Sequence, residues 1–364
     1  MNSMKYFFAR GPEGRSSLAS DGLPSTNRAQ ARSYLVAFAC AMVAYAAAAA
    51  ELRLGMVGLD TGHVIEFTKI LHAKDAAPAF AGVRIVGAVQ AASPDIESSQ
   101  TKAPGYTERL QREFGVKIYA TLDELLRDVD GLLIESVDAR AHLAQAAASI
   151  RAGKPCYIEK PIAASLKEAI EIFALSKKHG VPVFSSSALR FGAATQAVRA
   201  GQIGAVRSAV TSSPSPLEPN HIDLFWYGIH GVESLFTVVG TGWESVRRTS
   251  APGVLIVSEG VWAGGRTGVF REVARGPLAA TYVGRAVGEK GEAAVAQFDG
   301  YAPLVAAIVE FFRTGKSPVP PRETLEIVAF MEADALSKAR GGSPVTRDEV
   351  LQRAGWIGKW PGDF

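Results

Sequence analysis

Short apolar runs alternate with helix-like segments along the first half of the chain, from Glu51 to about residue 187. Runs rich in Val, Ile and Leu that are bounded by turn residues are typical of strands. Strands that alternate with helices predict βαβ units and a doubly wound, Rossmann-like parallel sheet. The predicted strands are Leu52–Gly58, Val83–Val89, Val116–Ala120, Gly131–Ser136, Pro155–Ile158 and Val181–Ser185, and the predicted helices are 63–73, 141–152, 166–179 and one that Thr121 caps with Glu124 at its third position.

The pattern changes after about Arg190, where longer β-rich runs follow one another across Gly-rich turns. Without helices between them, such strands favour an antiparallel sheet. The predicted strands are Val206–Ser212, Gly253–Val261, Thr267–Val273 and Ala279–Arg285, and the predicted helices are 231–239, 302–312 and 323–338. We therefore expect an α/β protein with a Rossmann-like dinucleotide-binding domain at 51–187. A C-terminal α+β domain with a mainly antiparallel open sheet, for substrate binding and oligomerisation, is expected at 188–364.

The charge of the chain is concentrated in its first fifty residues. The whole chain carries 39 Lys and Arg against 36 Asp and Glu, a net charge of +3. Residues 1–50 hold five of the cations and only two of the acids, so the remaining residues are balanced. A nucleic-acid-binding protein needs a clustered basic face, and the balanced body argues against that class.

Residues 1–50 have the features of an export signal and leader. A polar, basic stretch precedes an uncharged run from Tyr34 to Ala50 that ends in alanines, which is typical of a signal that is cleaved on export to the periplasm or outside the cell. An uncleaved membrane anchor and a start codon assigned too early are the alternatives. With only Cys40 and Cys156 in the chain, a disulfide framework is excluded.

The first strand is followed by an incomplete dinucleotide-binding fingerprint. Of the glycines expected at the first, third and sixth positions, only Gly58 is present, because Asp60 and His63 occupy the other two. An Asp beside a helix N-terminus would satisfy the helix dipole and repel a phosphate. Alternatively, Asp60 and Thr61 only cap the helix.

The second strand ends without the acid that usually bonds the adenosine ribose. The chain there reads Gln90-Ala91-Ala92-Ser93, and the first acid is Asp95. Gln90 or Ser93 is the polar residue available for a ribose or a 2′-phosphate.

Several motifs farther along the chain resemble those of a known family. The stretch AGKPCYIEKP ends in Glu159-Lys160-Pro161. Before it, Asp138 and His142 are separated by three residues. After it come Leu189-Arg190-Phe191 and Gly201-x-Ile203-Gly204. In this order the motifs resemble the Gfo/Idh/MocA family of glucose-fructose oxidoreductases and inositol 2-dehydrogenases, over about residues 52–240. The resemblance implies an NAD(P)-dependent oxidoreductase that acts on sugars or polyols and is a homo-oligomer.

The resemblance also implies roles for individual residues. Lys160 would act at the nicotinamide and the substrate hydroxyl, where an ammonium stabilises an alkoxide, and Glu159 would orient it. The other cofactor-binding residues would be Gly58, Asp60, Thr61, His63, Gln90, Asp138 and His142. The cofactor, NAD or NADP, would have to be held tightly in an exported enzyme.

A second set of candidate residues lies in the segment from His221 to His230. His230 is the candidate general acid or base, because an imidazole titrates near neutral pH. Family members commonly carry an Asp four residues before this His, but here Trp226 stands in that place. Asp223 or Tyr227 is then the candidate partner, and we assign Tyr227 to the catalytic group.

The spacing of His221, Asp223 and His230 matches no standard set of metal ligands, so no metal site is predicted. Three functions remain open. They are an exported oxidoreductase acting on a carbohydrate-like alcohol, a glycoside hydrolase that uses NAD transiently, and a non-catalytic sugar-binding protein on the same fold. No nucleic-acid partner is expected, and no membrane contact beyond a possible N-terminal anchor.

Overall fold

Six parallel strands form the first sheet of the computed structural model, which describes residues 51–251, 254–273 and 282–356. The strand order is β3–β2–β1–β4–β5–β6, so the predicted Rossmann-like sheet is confirmed. The order reverses between β1 and β4, and ligands of such sheets bind in the crevice at the carboxyl ends of these strands. The elements are β1 (Leu52–Val57), α1 (His63–His72), β2 (Val83–Val89), α2 (Glu97–Phe114), β3 (Lys117–Ile118), α3 (Leu122–Asp128), β4 (Gly131–Ile134), α4 (His142–Arg151), β5 (Cys156–Ile158), α5 (Leu166–His179) and β6 (Val183–Ser185).

Local capping explains where several of these helices begin and end. Thr121 accepts a hydrogen bond from the backbone N–H of Glu124 at 3.3 Å, as predicted for α3. Ser165 caps α5 in the same way, and Gly180 ends it with a φ of 66°.

Helix α2 is absent from the prediction. Of its four buried residues, Ser99, Ala103 and Thr107 are small or polar and only Leu110 is large and apolar, and Pro104 lies inside the helix. A helix with so weak an apolar stripe and an internal proline does not show the usual sequence pattern.

The second sheet has seven strands in the order β12–β11–β7–β10–β9–β8–β13. It is mainly antiparallel, as predicted, but β7 and β10 run parallel to each other, which the sequence pattern did not indicate. Strand β8 was not predicted, and the described part of the expected 279–285 strand begins at Val283. The elements are α6 (Ala193–Arg199), β7 (Val206–Ser213), a π-helical turn (Leu224–Gly228), α7 (Ile229–Val239), β8 (Trp243–Ala251), β9 (Val254–Trp262), β10 (Arg266–Glu272), β11 (Val283–Gly288), β12 (Gly291–Val295), α8 (Ala302–Thr314), α9 (Pro321–Ala339), β13 (Val345–Thr346) and α10 (Arg347–Arg353).

Helix α8 connects the two halves of the described chain. It buries Leu304, Ile308 and Phe311 in the same apolar cluster as Leu54 and Tyr157 of the first sheet. The described residues form one compact unit, so the expected boundary between 187 and 188 stays a prediction.

The export signal and leader expected at 1–50 falls outside the described residues, and so does Cys40. Among the described residues, none of the helices combines the length and the apolar character that crossing a membrane requires. Cys156 is a free thiol on β5, fully buried, and burial raises its pKa to about 12.

Candidate active site

A cavity of about 880 Å³ lies at the carboxyl ends of the first sheet's strands. Its walls come from the β1–α1 loop, the start of α2, the segments after β4, β5 and β6, the π-helical turn and the segment between β12 and α8. Both halves of the chain therefore contribute to one site. Of the predicted site residues, six line it: Asp60, Thr61, His63, Lys160, Tyr227 and His230.

The β1–α1 loop passes tightly against the end of β4. Gly58 has a φ of 83°, and a Cβ added there would lie 2.2 Å from the backbone nitrogen of Ser136. Only glycine fits this position, so the one fingerprint glycine that the sequence retains has a clear steric role.

Asp60 does not cap α1, so that alternative interpretation was wrong. Its Oδ1 accepts a hydrogen bond from the N–H of Val137 at 2.9 Å, and its Oδ2 accepts one from Ser99 Oγ at 2.6 Å. Burial raises the pKa of this carboxyl group. Helix α1 begins at Gly62 without any side-chain cap.

The uncapped start of α1 fits the pyrophosphate of a dinucleotide. Thr61, Gly62 and His63 all line the cavity, and unsatisfied N–H groups at a helix N-terminus bind anions. Ser98 and Lys102 of α2 line the same region and add a cation. The expected repulsion from Asp60 is weakened, because its oxygens are bonded to Val137 and Ser99.

Five of the predicted cofactor residues lie outside the cavity lining, namely Gly58 and Glu159 and the three residues Gln90, Asp138 and His142. The carbonyl of Gln90 accepts a hydrogen bond from the N–H of Leu59, and His142 bridges the carbonyls of Ser136 and Pro161 at 2.8 and 2.9 Å. Asp138 accepts hydrogen bonds from Ser93 and Arg140, and its Oδ1 lies 3.3 Å from Nε2 of His221. In this structure the Gln90 backbone and the His142 and Asp138 side chains hold the loops that form the wall.

Glu159 and Lys160 form a buried ion pair at the base of the cavity. Lys160 Nζ lies 3.3 Å from Glu159 Oε1, and only 2% and 8% of the residues Glu159 and Lys160 are exposed. Burial alone would raise the pKa of Glu159, but the charges of His63 and Lys160 lower it to about 2. The predicted pairing of Glu159 with Lys160 is therefore present in the geometry, and Glu159 is ionised.

His230 is the second titratable group in the cavity wall. Burial, and then the charge of Lys160, lower its pKa well below the ordinary value, so the imidazole is neutral. Its Nδ1 lies 2.7 Å from Ser187 Oγ, which accepts a hydrogen bond from the N–H of Leu189. In the tautomer that carries its proton on Nδ1, the ring donates to Ser187 Oγ, and Nε2 is then the unprotonated nitrogen that can accept a proton from a ligand.

Tyr227 lies between the two groups. Its ring centroid is 5.6 Å from Lys160 Nζ and 4.9 Å from the ring of His230. The Tyr227 hydroxyl is 2.8 Å from that of Tyr282. The structure thus brings together the three residues that the sequence assigned to catalysis.

The alternative expectation, that Asp223 is the partner of His230, was wrong. Its Oδ2 accepts hydrogen bonds from Arg248 at 3.1 Å and from Lys338 at 2.7 Å. His221 is next to Asp138, and therefore the His221, Asp223 and His230 side chains do not converge. Trp226 lines the cavity in the place where the resemblance implied an Asp.

Sequence reasoning missed residues that support the site. Ser187 follows β6 in a run of three serines, and polar residues at the end of a parallel strand were a usable signal. Glu233 of α7 accepts hydrogen bonds from the N–H of Ser187 at 2.7 Å and from Arg190 Nε at 2.6 Å. Glu135, fully buried directly after β4, was also missed, and burial and then the charge of Glu159 raise its pKa.

Comparison with known proteins finds one family model that matches part of the chain. Residues 52–187 match the Gfo/Idh/MocA model, described as an oxidoreductase family with an NAD-binding Rossmann fold. The chain is 27% identical over 132 residues to an uncharacterised oxidoreductase, YhhX, of Escherichia coli (strain K12), a match that covers 33% of this chain and 38% of that protein. It is 30% identical over 118 residues to the 1,5-anhydro-D-fructose reductase of Ensifer adhaerens, covering 32% and 35%. The matches thus span less than two fifths of these relatives.

Solved structures share the fold over most of the chain. A probable dehydrogenase from Thermotoga maritima has a TM-score of 0.64 at 18% identity, with 82% of this chain and 100% of that chain covered. Scyllo-inositol dehydrogenase from Lactobacillus casei, solved with NAD(H) and scyllo-inositol, has a TM-score of 0.64 at 14% identity, with the same coverage. Residues 52–187 thus match the NAD-binding Rossmann domain of the Gfo/Idh/MocA oxidoreductase family, in agreement with the motifs and the confirmed sheet order.

Proposed function

We propose that this protein transfers a hydride between NAD(P) and a carbohydrate-like alcohol. The observation that carries the proposal is the convergence of Lys160, Tyr227 and His230 in a cavity that the uncapped start of α1 also lines. A bound nicotinamide dinucleotide supplies the hydride acceptor or donor. The start of α1, from Thr61 to His63, binds its pyrophosphate.

Lys160 and His230 handle the proton of the substrate hydroxyl. The ammonium of Lys160, held by Glu159, stabilises negative charge on the substrate oxygen. His230 is neutral and can accept a proton, while Ser187 fixes the orientation of its ring. Tyr227 packs between them and orders both side chains.

The cavity lining favours a polyol or sugar as the alcohol. Trp226, Phe298 and Tyr301 offer aromatic faces, and Ser186 and Gln297 offer hydrogen-bonding groups. Aromatic faces with a few polar groups suit a ring that has one apolar face and several hydroxyls. The name of the Ensifer adhaerens relative, a reductase of an anhydro sugar, supports the same substrate class.

The experiment begins with nucleotide content. Purified protein is denatured, and the released NAD(H) or NADP(H) is measured by absorbance and mass, after which the native protein is assayed with a panel of polyols and aldoses. Lys160→Met should lower turnover by roughly 10²–10⁴-fold and leave the nucleotide content unchanged. Lys178→Met, on the exposed end of α5, is the matched control and should turn over like the wild type.

Each alternative function has its own outcome. Protein that neither contains nor binds either nucleotide would be a sugar-binding protein on this fold. Bound nucleotide together with sugar release from a glycoside, without net oxidation or reduction, would indicate a hydrolase. Either result contradicts the proposed oxidoreductase.

We also propose that residues 1–50 direct export, on the basis of the basic, apolar and small-residue pattern of that segment. Fusing residues 1–50 to alkaline phosphatase, which is active only outside the cytoplasm, tests this. The fusion should be active, and a matched fusion without residues 34–50 should not. Equal activity of the two fusions would contradict export by this segment.

A homo-oligomer is supported by one face of the second sheet. Val210, Val261, Val283 and Val287 are between 38% and 50% exposed, and the strand register puts them on the same face. Exposed apolar patches of this kind mark protein interfaces. Light scattering should give a multiple of the chain mass, and Val261→Lys with Val283→Lys should reduce it.

A further inference from the structure

Three ionisable side chains from separate elements meet below the floor of the cavity. His63 is the first residue of α1, Glu135 directly follows β4, and Glu159 directly follows β5. His63 Nδ1 lies 3.0 Å from Glu159 Oε2 and 3.8 Å from Glu135 Oε2. One nitrogen and two carboxylate oxygens, all within 4.8 Å of one another, thus face a common point.

Glu135 is the unusual member of this cluster. It is fully buried, and neither of its carboxylate oxygens has a hydrogen-bond partner among the described residues. A buried carboxylate without a partner is strongly unfavourable, so it needs either a cation or a proton of its own. His63 Nδ1 lies 3.8 Å from Glu135 Oε2 and already pairs with Glu159, so it does not supply the missing hydrogen bond.

The other two members face each other through one atom each, His63 Nδ1 and Glu159 Oε2. The ring of His63 stacks on Phe67 at 5.2 Å between centroids and meets the edge of Tyr301 at 4.9 Å, which fixes the direction of Nδ1. Lys160 pairs with Oε1 of Glu159, so Oε2 is free of that lysine.

The distances and the donor set agree with a metal ion. Two ligand atoms that each lie about 2.1 Å from one ion are roughly 3.0–3.5 Å apart, close to the separations that His63 makes with the two carboxylates. Imidazole with carboxylates suits first-row transition ions rather than Ca²⁺. We propose that His63, Glu135 and Glu159 bind one divalent first-row transition ion such as Mn²⁺ or Zn²⁺.

The ion would replace the proton shared between His63 and Glu159 and give Glu135 its missing partner. It would join the ends of β4 and β5 to the start of α1, directly beneath the segment that carries Lys160. Three protein ligands leave positions for water, as in open metal sites. The inference is independent of the proposed function, because its test uses neither nucleotide nor substrate.

The experiment measures metal binding to the full-length protein. Protein stripped with a chelator is titrated with Mn²⁺, followed by electron paramagnetic resonance, and with Zn²⁺, followed by calorimetry. One ion per chain is expected, with a rise in the thermal midpoint on saturation. Glu135→Gln, which keeps the shape of the side chain, should weaken binding by roughly 100-fold or more and abolish the midpoint rise.

Two further variants make the result decisive. His63→Gln removes a different ligand and should weaken binding in the same way, which keeps the test open if Glu135→Gln does not fold. Glu332→Gln is the control, since Glu332 is a partly buried glutamate on α9 whose partner, the N–H of Leu166, glutamine can retain. It should bind the ion like the wild type.

Two outcomes would overturn the proposal. Wild-type protein that binds neither ion is the first, and a Glu135→Gln variant as stable as or more stable than wild type would then identify Glu135 as an uncharged acid that carries its own proton. Binding that persists unchanged in both Glu135→Gln and His63→Gln would place the ion elsewhere.

Discussion

The hydroxyl oxygen of Ser187 lies 2.7 Å from Nδ1 of His230. Ser187 is itself held, because its N–H donates to Glu233 Oε2 at 2.7 Å and Glu233 Oε1 accepts from Arg190 at 2.6 Å. The orientation of a neutral imidazole in the cavity is therefore set by a buried ionic group on its far side. Acid-base chemistry by a histidine depends on which ring nitrogen carries the proton. The contacts from Arg190 through Glu233 and Ser187 to His230 therefore influence the catalytic activity.

Removing the Ser187 hydroxyl should lower the rate more than the affinity. In Ser187→Ala the ring loses the acceptor for its Nδ1–H, so it can adopt the other tautomer and rotate. We expect kcat to fall on the order of 10-fold with little change in KM, and the pH profile of kcat to shift. Steady-state kinetics over a pH series on the oxidoreductase assay measure both.

The control for this variant is Ser176→Ala, which removes a hydroxyl bonded to the carbonyl of Val181 at the end of α5, away from the cavity. It should leave kcat and the pH profile unchanged. If Ser187→Ala lowered the thermal midpoint but left kcat and its pH profile unchanged, Ser187 would have only a structural role.

Arg190 should be among the most sensitive positions for stability. Its side chain is 2% exposed and bridges Glu233 at 2.6 Å and Glu323 at 2.7 Å. Arg190→Met leaves buried carboxylates without this partner, and should lower the free energy of unfolding by about 3–5 kcal/mol. Urea denaturation gives the difference.

Arg199 provides the matched comparison for Arg190. It pairs with the same Glu323, through two contacts of 2.9 Å, but its side chain is 34% exposed. Arg199→Met should cost only about 1 kcal/mol, since solvent screens the pair. Similar losses in the two variants would show that burial of Arg190 does not determine its contribution.

Prediction from the sequence succeeded where a local pattern carries the information. The strands of the first sheet follow from short apolar runs, and the start of α3 follows from Thr121 and Glu124. Lys160, Tyr227 and His230 were found through family motifs, and they meet in one cavity. Helix α2 was missed, because three of the four side chains it buries are small or polar, and Leu110 alone does not form an apolar stripe.

The unpredicted part of the site depends on which strand ends become neighbours. Glu135 and Glu159 are close only because β4 and β5 are adjacent, and Ser187 reaches His230 only across 43 residues of chain. Asp60 was interpreted as a defect in the fingerprint, since its partner Ser99 lies on the helix that the pattern did not reveal. Such contacts follow from topology and not from spacing.

His72 should make stability depend on pH. Its Nε2 accepts a hydrogen bond from the N–H of Ile85 at 3.0 Å, which requires a neutral ring. Burial, and then the charge of Arg84, lower the pKa of His72 to about 4. Because the unfolded chain binds the proton first, this stabilisation is complete above about pH 6.5 and is lost as the pH falls towards 4.

The test of His72 compares wild type with His72→Gln at pH 7.5 and pH 5. Between these values the wild type should lose about 1–2 kcal/mol more than the variant, a figure reduced for the partial exposure of the ring. Urea denaturation at each pH measures it. An equal loss in both proteins would show that His72 is not the group responsible.

Restoring the fingerprint glycine at position 60 should destabilise the protein. Asp60→Gly removes the acceptor for the N–H of Val137 and for the Ser99 hydroxyl, and Ser99 is fully buried. Unpaired donors and the added backbone freedom of glycine should together lower the free energy of unfolding by about 2–4 kcal/mol. Asp60→Asn keeps an acceptor for Val137 and should lose about half as much.

The variants Asp60→Gly and Asp60→Asn also test whether the Asp60 carboxylate weakens nucleotide binding. Helix α1 has no side-chain cap from Asp60, so its N-terminal N–H groups are equally available with glycine at this position. Nucleotide bound per folded chain should therefore be the same in wild type, Asp60→Gly and Asp60→Asn, as measured by release after denaturation. A stable Asp60→Gly protein that binds several times more nucleotide would show instead that the carboxylate repels phosphate. In that case the hydrogen bonds to Val137 and Ser99 would not be what holds this loop in place.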